Sequence, residues 1–194
     1  VGNTNTVIGL SVPSVLPVHS LADLIALVKS KPGELNWAGV ASGLDFNFES
    51  WLRQAHLDLK KVPYRNPVDA LNDLAENRVQ VYGSAVAIIQ PRITAGAVRL
   101  IAVVNSERTS VYPDVPTVRE AGHPELTIDG LIGLFGPPSM PMALRRKIAA
   151  DVKDVIDNDA VIQDRLRSTA QIPSPGTPEE FAQLLQSEYD RWGK

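Results

Sequence analysis

The chain has no cysteine. That excludes disulfides, zinc–thiolate centres and cysteine nucleophiles. Its three histidines, His19, His56 and His123, are scattered, without HExxH or His-x-His spacing. No metal site or cofactor is therefore expected. No G-x-S-x-G elbow occurs. Gly130, Gly133 and Gly136 do not open a helix, so they do not make a phosphate loop. No long basic run exists, and the net charge is only −3. No nucleic-acid partner is expected from that balance. Apolar runs such as "VRLIAVV" are too short to span a bilayer. The start lacks the basic stretch and apolar core of a signal peptide. It begins at Val1 rather than Met, so a processed chain or a piece of a longer one is expected.

What is present suits a globular protein. The 194 residues are 44% hydrophobic, enough for one large domain or two small ones. "VIGLSVP" (7–13) reads as a strand. A helix follows, capped by Ser20, with Leu21, Leu24, Ile25 and Val28 on one face and Pro32-Gly33 at its end. "LNWAGV" is a strand; Phe46, Phe48, Trp51, Leu52 and His56 continue as a helix. "KKVPY" is a strand. Asn66 caps a helix with Pro67 at its first position. "VQVYG" and "VRLIAVV" are strands, separated by a helix kinked or restarted at Pro91. "YPDVPTVREAG" predicts a connection with a short helix, and "LTIDGLIGLFGPP" a strand or strand pair. Three helices close the chain, from "MALRRKIAADVKDVIDN" onward.

Alternating strands and helices predict a mainly parallel α/β sheet. Ligands of such sheets sit beyond the carboxyl ends of the strands. Turn residues mark four expected strand ends: Ser42-Gly43, Arg65-Asn66, Gly83-Ser84 and Asp129-Gly130. "ASGLDF" (41–46) adds a helix start, whose unpaired N–H groups and dipole favour a carboxylate by about 0.3–1 kcal/mol. The candidate ligand-binding residues are Ala41, Ser42, Gly43, Leu44, Asp45, Phe46, Arg65, Asn66, Gly83, Ser84, Asp129 and Gly130. No catalytic residue is assigned. Two other readings of the same residues stay open: a plain strand–helix turn, and an α/β enzyme using Ser42 or Ser84 with a distant base. Asp45 and Glu49 are four apart and could share a solvated helix face.

Longer motifs narrow the field. "VPYR" stands at Val62–Arg65, "ALNDL" at Ala70–Leu74, "VQV" at Val79–Val81, "ITAGAVRLIAV" at Ile93–Val103 and "PDVPTVREAG" at Pro113–Gly122. With "GLFGPPSMP" and the closing "TPEEFAQLLQSEYDRW", these resemble the substrate-binding receptors of tripartite tricarboxylate transporters, the Bug family. The resemblance implies a type II periplasmic-binding-protein fold: two α/β lobes with a ligand cleft. One lobe is expected complete at residues 8–130. Residues 1–7 and 131–194 would be the remnant of the other, with its C-terminal helices.

The implied function is capture of a small organic carboxylate in the periplasm and delivery to integral-membrane transporter subunits, without catalysis. A ligand sensor presenting the same closed lobe to a signalling partner is the alternative. Family members carry a further stretch ahead of the position of Val1, so the exposed remnant is expected to self-associate. The family's turn reads G-x-G-[ST]-x-H. Here Leu44 stands at the hydroxyl position and Phe46 at the histidine position, and Asp45 adds a negative charge. These departures imply a less polar or aromatic carboxylate, or a ligand with an amine that pairs with Asp45.

Overall fold

A computed structural model describes residues 2–40 and 42–192. In chain order the elements are β1 (Gly2–Thr6), β2 (Ile8–Pro13), α1 (Leu21–Ser30), β3 (Asn36–Gly39), α2 (Gly43–Gln54), β4 (Lys60–Pro63), α3 (Pro67–Ala75), β5 (Val81–Ala85), α4 (Val86–Thr94), β6 (Val98–Val103), β7 (Gly130–Gly133), α5 (Met142–Asn158), α6 (Ala160–Ser168), β8 (Gln171–Pro173) and α7 (Pro178–Trp192). They fall into two compact units. One is Val7–Asp129; the other comprises the described residues of Val1–Thr6 and Gly130–Lys194.

The Val7–Asp129 unit is a five-stranded sheet, ordered β4-β3-β5-β2-β6, between two helical layers. Side chains alternate faces along each strand. Trp37 and Val81 join one core; their neighbours Ala38 and Tyr82 join the other. The first core takes the apolar faces of α1 (Leu21, Leu24, Val28) and α2 (Leu44, Phe48, Trp51, Leu52). The second takes Ala70, Leu71 and Leu74 of α3 and Ile89 of α4. Caps fix the helix starts: the Ser20 hydroxyl accepts the Asp23 N–H, and Asn66 Oδ1 accepts the Val68 N–H.

Several expectations need correction. The sheet is mixed, because β2 runs antiparallel to both β5 and β6. Pro91 does not restart the helix; α4 runs through it, anchored by buried Val86 and Ile89. The segment 112–122 forms turns, not a helix. Thr117 and Glu120 cap one another reciprocally, each side chain accepting the other's N–H. Gly122, at φ +88°, and Pro124 then stop any second turn.

In the other unit, β1 lies between β7 and β8, antiparallel to both. α5, α6 and α7 complete it. Neither β1 nor β8 is legible as a strand, since "GNTNT" is polar throughout and β8 has three residues. No helix among the described residues is long and apolar enough to cross a membrane.

Candidate functional site

β3, β4 and β5 point one way, with Gly39 opposite Pro63 and Ala38 opposite Tyr82. β2 opposes both β5 and β6, so β6 points that way too. The carboxyl ends of β3 to β6 therefore share one sheet edge. The connections diverge there: the helix after β3 covers one face, while those after β4 and β5 cover the other. That divergence opens a crevice of the kind α/β sheets use for ligands.

At this edge α2 begins. Ala41 lies outside the described residues. Ser42 is the N-cap and makes no side-chain bond to the first-turn amides. Ser42 and Gly43 are exposed. Leu44 is not a surface residue: it is 7% exposed and packs in the first core. A side chain at Gly83 would put its Cβ 2.7 Å from Leu44 Cδ2, so the bare backbone of Gly83 makes Leu44's seat. Leu10, Trp37, Leu44, Asp45, Phe48 and Gly83 leave a gap of only about 10 Å³, room for no more than one water molecule. Phe46 departs from the expected apolar stripe in the opposite sense and is 67% exposed. Phe48 and Trp51 do pack inward, with ring centroids 5.4 Å apart.

Asp45 is buried. It is neither a solvated helix-start residue nor an unbalanced charge. Lys61 Nζ on β4 lies 3.3 Å from Asp45 Oδ2 and 2.6 Å from Glu49 Oε1. The Ser42 hydroxyl donates to Asp45 Oδ1 at 3.3 Å. Lys61 also sits 5.0 Å over the Trp37 ring, a cation–π distance. Glu49 first, and Asp45 after it, holds the Lys61 ammonium above its usual pKa. Neighbouring Asn47 is buried too, and its Nδ2 has no hydrogen-bond partner.

The remaining candidates have varied placements. Arg65 and Asn66 are exposed at the β4 end, where Asn66 spends its side chain on capping α3. Gly83 and Ser84 are not in a turn; β5 continues to Ala85, and they pair with Leu10 and Gly9 of β2. Asp129 does not end a strand either. It follows Ile128, whose N–H donates to the Val104 carbonyl just past β6. Its Oδ1 accepts the Ser106 N–H at 3.1 Å, the Ser106 hydroxyl at 3.3 Å and Asn105 Nδ2 at 3.4 Å. Asn105 Oδ1 accepts the Ile8 N–H at 2.7 Å, tying the β6 end to the start of β2. Gly130 opens β7 in the other unit.

Sequence reading missed Gly39, Lys61, Asn105 and Ser106. Lys61 is one of two adjacent lysines, and only strand alternation distinguishes them. Asn105 carried a usable signal: a polar residue directly after a buried strand end needs a partner. The enzyme reading gains nothing at this edge. Ser42 is paired with a carboxylate that Lys61 already holds, and Ser84 is buried within the sheet. His123 is engaged elsewhere, with Trp51 Nε1 at 3.1 Å and Glu125 Oε1 at 3.1 Å.

A larger cavity, about 220 Å³, lies in the other unit, lined by Leu134, Phe135, Met140, Ile148, Phe181 and Leu185 among others. Its lining is mainly apolar. Arg145, on its wall, already donates to the carbonyls of Met140 and Pro138. Size alone therefore does not choose the site.

Residues 3–194 match the family described as "Tripartite tricarboxylate transporter family receptor". A protein of the tcbD-tcbE intergenic region of Pseudomonas sp. strain P51 is 29% identical over 97% of this chain and 58% of its own length. Protein BugT of Bordetella pertussis is 25% identical over 91% of this chain and 55% of its own. Among solved structures, R. palustris Rpa4515 with adipate superposes at TM-score 0.84 with 26% identity, covering 100% of this chain and 65% of that one. MatC of Rhodopseudomonas palustris with bound malate gives 0.77 and 28%, covering 97% and 66%. The chain thus spans 55–58% of the length of these two relatives and 65–66% of these two solved chains.

Proposed function

Because the chain belongs to the tripartite tricarboxylate transporter receptor family, we propose that it is the larger part of an extracytoplasmic receptor for a small organic carboxylate. The Val7–Asp129 unit is its ligand-binding lobe, and the other unit belongs to the second lobe. The ligand is captured in the periplasm and handed to integral-membrane transporter subunits. A receptor of this kind needs no catalytic group.

One observation carries the reading. The strand ends of the larger sheet meet at one edge, and there α2 presents a first turn that its N-cap serine leaves uncapped. Such a turn offers N–H donors and the positive end of the helix dipole to a carboxylate. Lys61 pairs with Asp45 and so lowers its opposition to an anion. Phe46 adds an exposed ring beside the turn. That favours a carboxylate with an aliphatic or aromatic body over a compact, highly charged one. Relatives solved with adipate and malate lend support by kinship.

A thermal-shift screen of aliphatic and aromatic mono- and dicarboxylates against their neutral amides tests the proposal. A ligand at a hundred times its dissociation constant should stabilise the chain by about 2.7 kcal/mol. Stabilisation by amides as strong as by acids would overturn the carboxylate assignment. No response to any acid at millimolar concentration would overturn the receptor reading for this chain.

A further inference from the structure

Resting on the carboxylate-site reading, we propose that Lys61 is a positioning residue that sets the charge preference of the site. It offsets one of the two negative charges, those of Asp45 and Glu49, that α2 places near the ligand turn.

Acidic residues in the first turn stabilise a helix, but they oppose any anion arriving at the same amides. α2 carries one there, Asp45, and a second carboxylate, Glu49, one turn further on; both lie within ion-pair distance of one ammonium, at 3.3 and 2.6 Å. Lys61 reaches α2 from the neighbouring strand, across the end of β3. That crossing requires Gly39. A Cβ there would lie 2.3 Å from Lys61 Cε and 2.8 Å from Asp45 Oδ2. The Trp37 ring forms the floor beneath the ammonium. Strand β3 thus supplies both the gap and the platform, and Lys61 is held rather than free to wander in solvent. Asp45 is in turn hydrogen-bonded to the Ser42 hydroxyl, so the partly neutralised cluster touches the N-cap itself.

With Lys61 in place the cluster carries one net negative charge; without it, two. A unit charge within about 7 Å, at an effective dielectric between protein and water, changes anion affinity about five- to tenfold. Lys61 therefore decides whether the turn tolerates a dicarboxylate, without touching it.

The test compares the wild-type chain with Lys61→Met, Lys61→Arg, Asp45→Asn and Asp45→Asn/Lys61→Met. Adipate and malate binding is followed by NMR titration at low and high salt, and thermal melting checks that each variant is folded. Lys61→Met should weaken binding about five- to tenfold at low salt and less at high salt. Lys61→Arg should hold wild-type affinity. Removing the Asp45 charge should rescue Lys61→Met to within about twofold, and alone it should bind more tightly than wild type. A merely structural lysine would give a loss of affinity that tracks the loss of thermal stability and does not shrink with salt. The inference alone is overturned if wild type binds and Lys61→Met binds equally well, or if the folded double variant stays weak. Failure of the wild-type chain to bind either acid overturns the carboxylate reading and this inference with it.

Discussion

Leu44→Ser restores the hydroxyl that the resemblance places at this turn. If Leu44 faced the ligand, the change should cost little and gain polar contacts. Its packing argues the reverse. Leu44 is 7% exposed, seated on Gly83 and grouped with Leu10, Phe48 and Trp51 in the first core. Serine keeps Cβ, so the change forfeits about 0.8 kcal/mol for each of roughly three buried carbons, or about 2.4 kcal/mol. Large-to-small core changes span about 2–5 kcal/mol, the upper part where the site cannot collapse. Collapse is hindered here because the floor is sheet backbone at Gly83. The new hydroxyl would also need a partner in an apolar pocket. The loss should therefore be about 3–4 kcal/mol. Urea unfolding read by Trp37 and Trp51, in a Trp192→Phe background, reports this unit alone. With a slope of about 2 kcal/mol/M, the midpoint should fall by about 1.5–2 M. A fall under about 0.5 M, together with new dicarboxylate binding, would refute the inward placement of Leu44.

Other perturbations bear on separate features. Gly39→Ala drives a methyl against Lys61 Cε and the buried Asp45 carboxylate, and should cost about 1–2 kcal/mol in the same urea assay while opening the ion pair; an unchanged midpoint would mean the strand end yields freely. The Tyr64 hydroxyl donates to Asp73 at 2.6 Å. Burial first, then Asp73, raises Tyr64 from 10.0 to about 12. The folded state thus holds the phenolic proton more tightly than the unfolded chain. That contribution is complete below pH 10.0 and is lost as pH rises toward about 12. Asp73 is lowered from 3.8, by Tyr64 first and Arg78 next. Its contribution is present above pH 3.8 and fades as pH falls through the folded value. Tyr64→Phe should flatten the alkaline limb of a stability–pH curve; an unaltered limb would remove this pair from the account. In the smaller unit Phe135 is 76% exposed, and Leu134 and Tyr189 are exposed too. Light scattering should show concentration-dependent association that Phe135→Asp reduces, and a strict monomer at high concentration would contradict it.

The two layers of the larger unit were legible because their signals are local. Ser20 and Asn66 announce helix starts, and the apolar spacing of Leu21, Leu24 and Val28 survives as a buried face. What stayed hidden depends on partners distant in sequence. The reversed direction of β2 is set by its neighbours β5 and β6, not by anything in "IGLSVP". The fate of Asp45 depends on Lys61, sixteen positions on in the sequence, and on a glycine that lets them meet. Leu44 and Phe46 exchanged expected roles for a similar reason. Helix period places residues around a cylinder, but only the seat above Gly83 says which of them is inward. Gly83 and Ser84 read as a turn by residue type, yet pairing with β2 keeps them in the ladder.

The central claim is that the edge formed by the β3 and β4 ends and the start of α2 receives a carboxylate. Backbone amide NMR of the intact chain, titrated with adipate and in parallel with neutral adipamide, tests it most directly. The account requires saturable shifts at Gly43, Leu44, Arg65 and Asn66 with the acid, and none there with the amide. Shifts confined to the apolar cavity around Phe135 and Phe181, or equal shifts with acid and amide at the α2 turn, would contradict it.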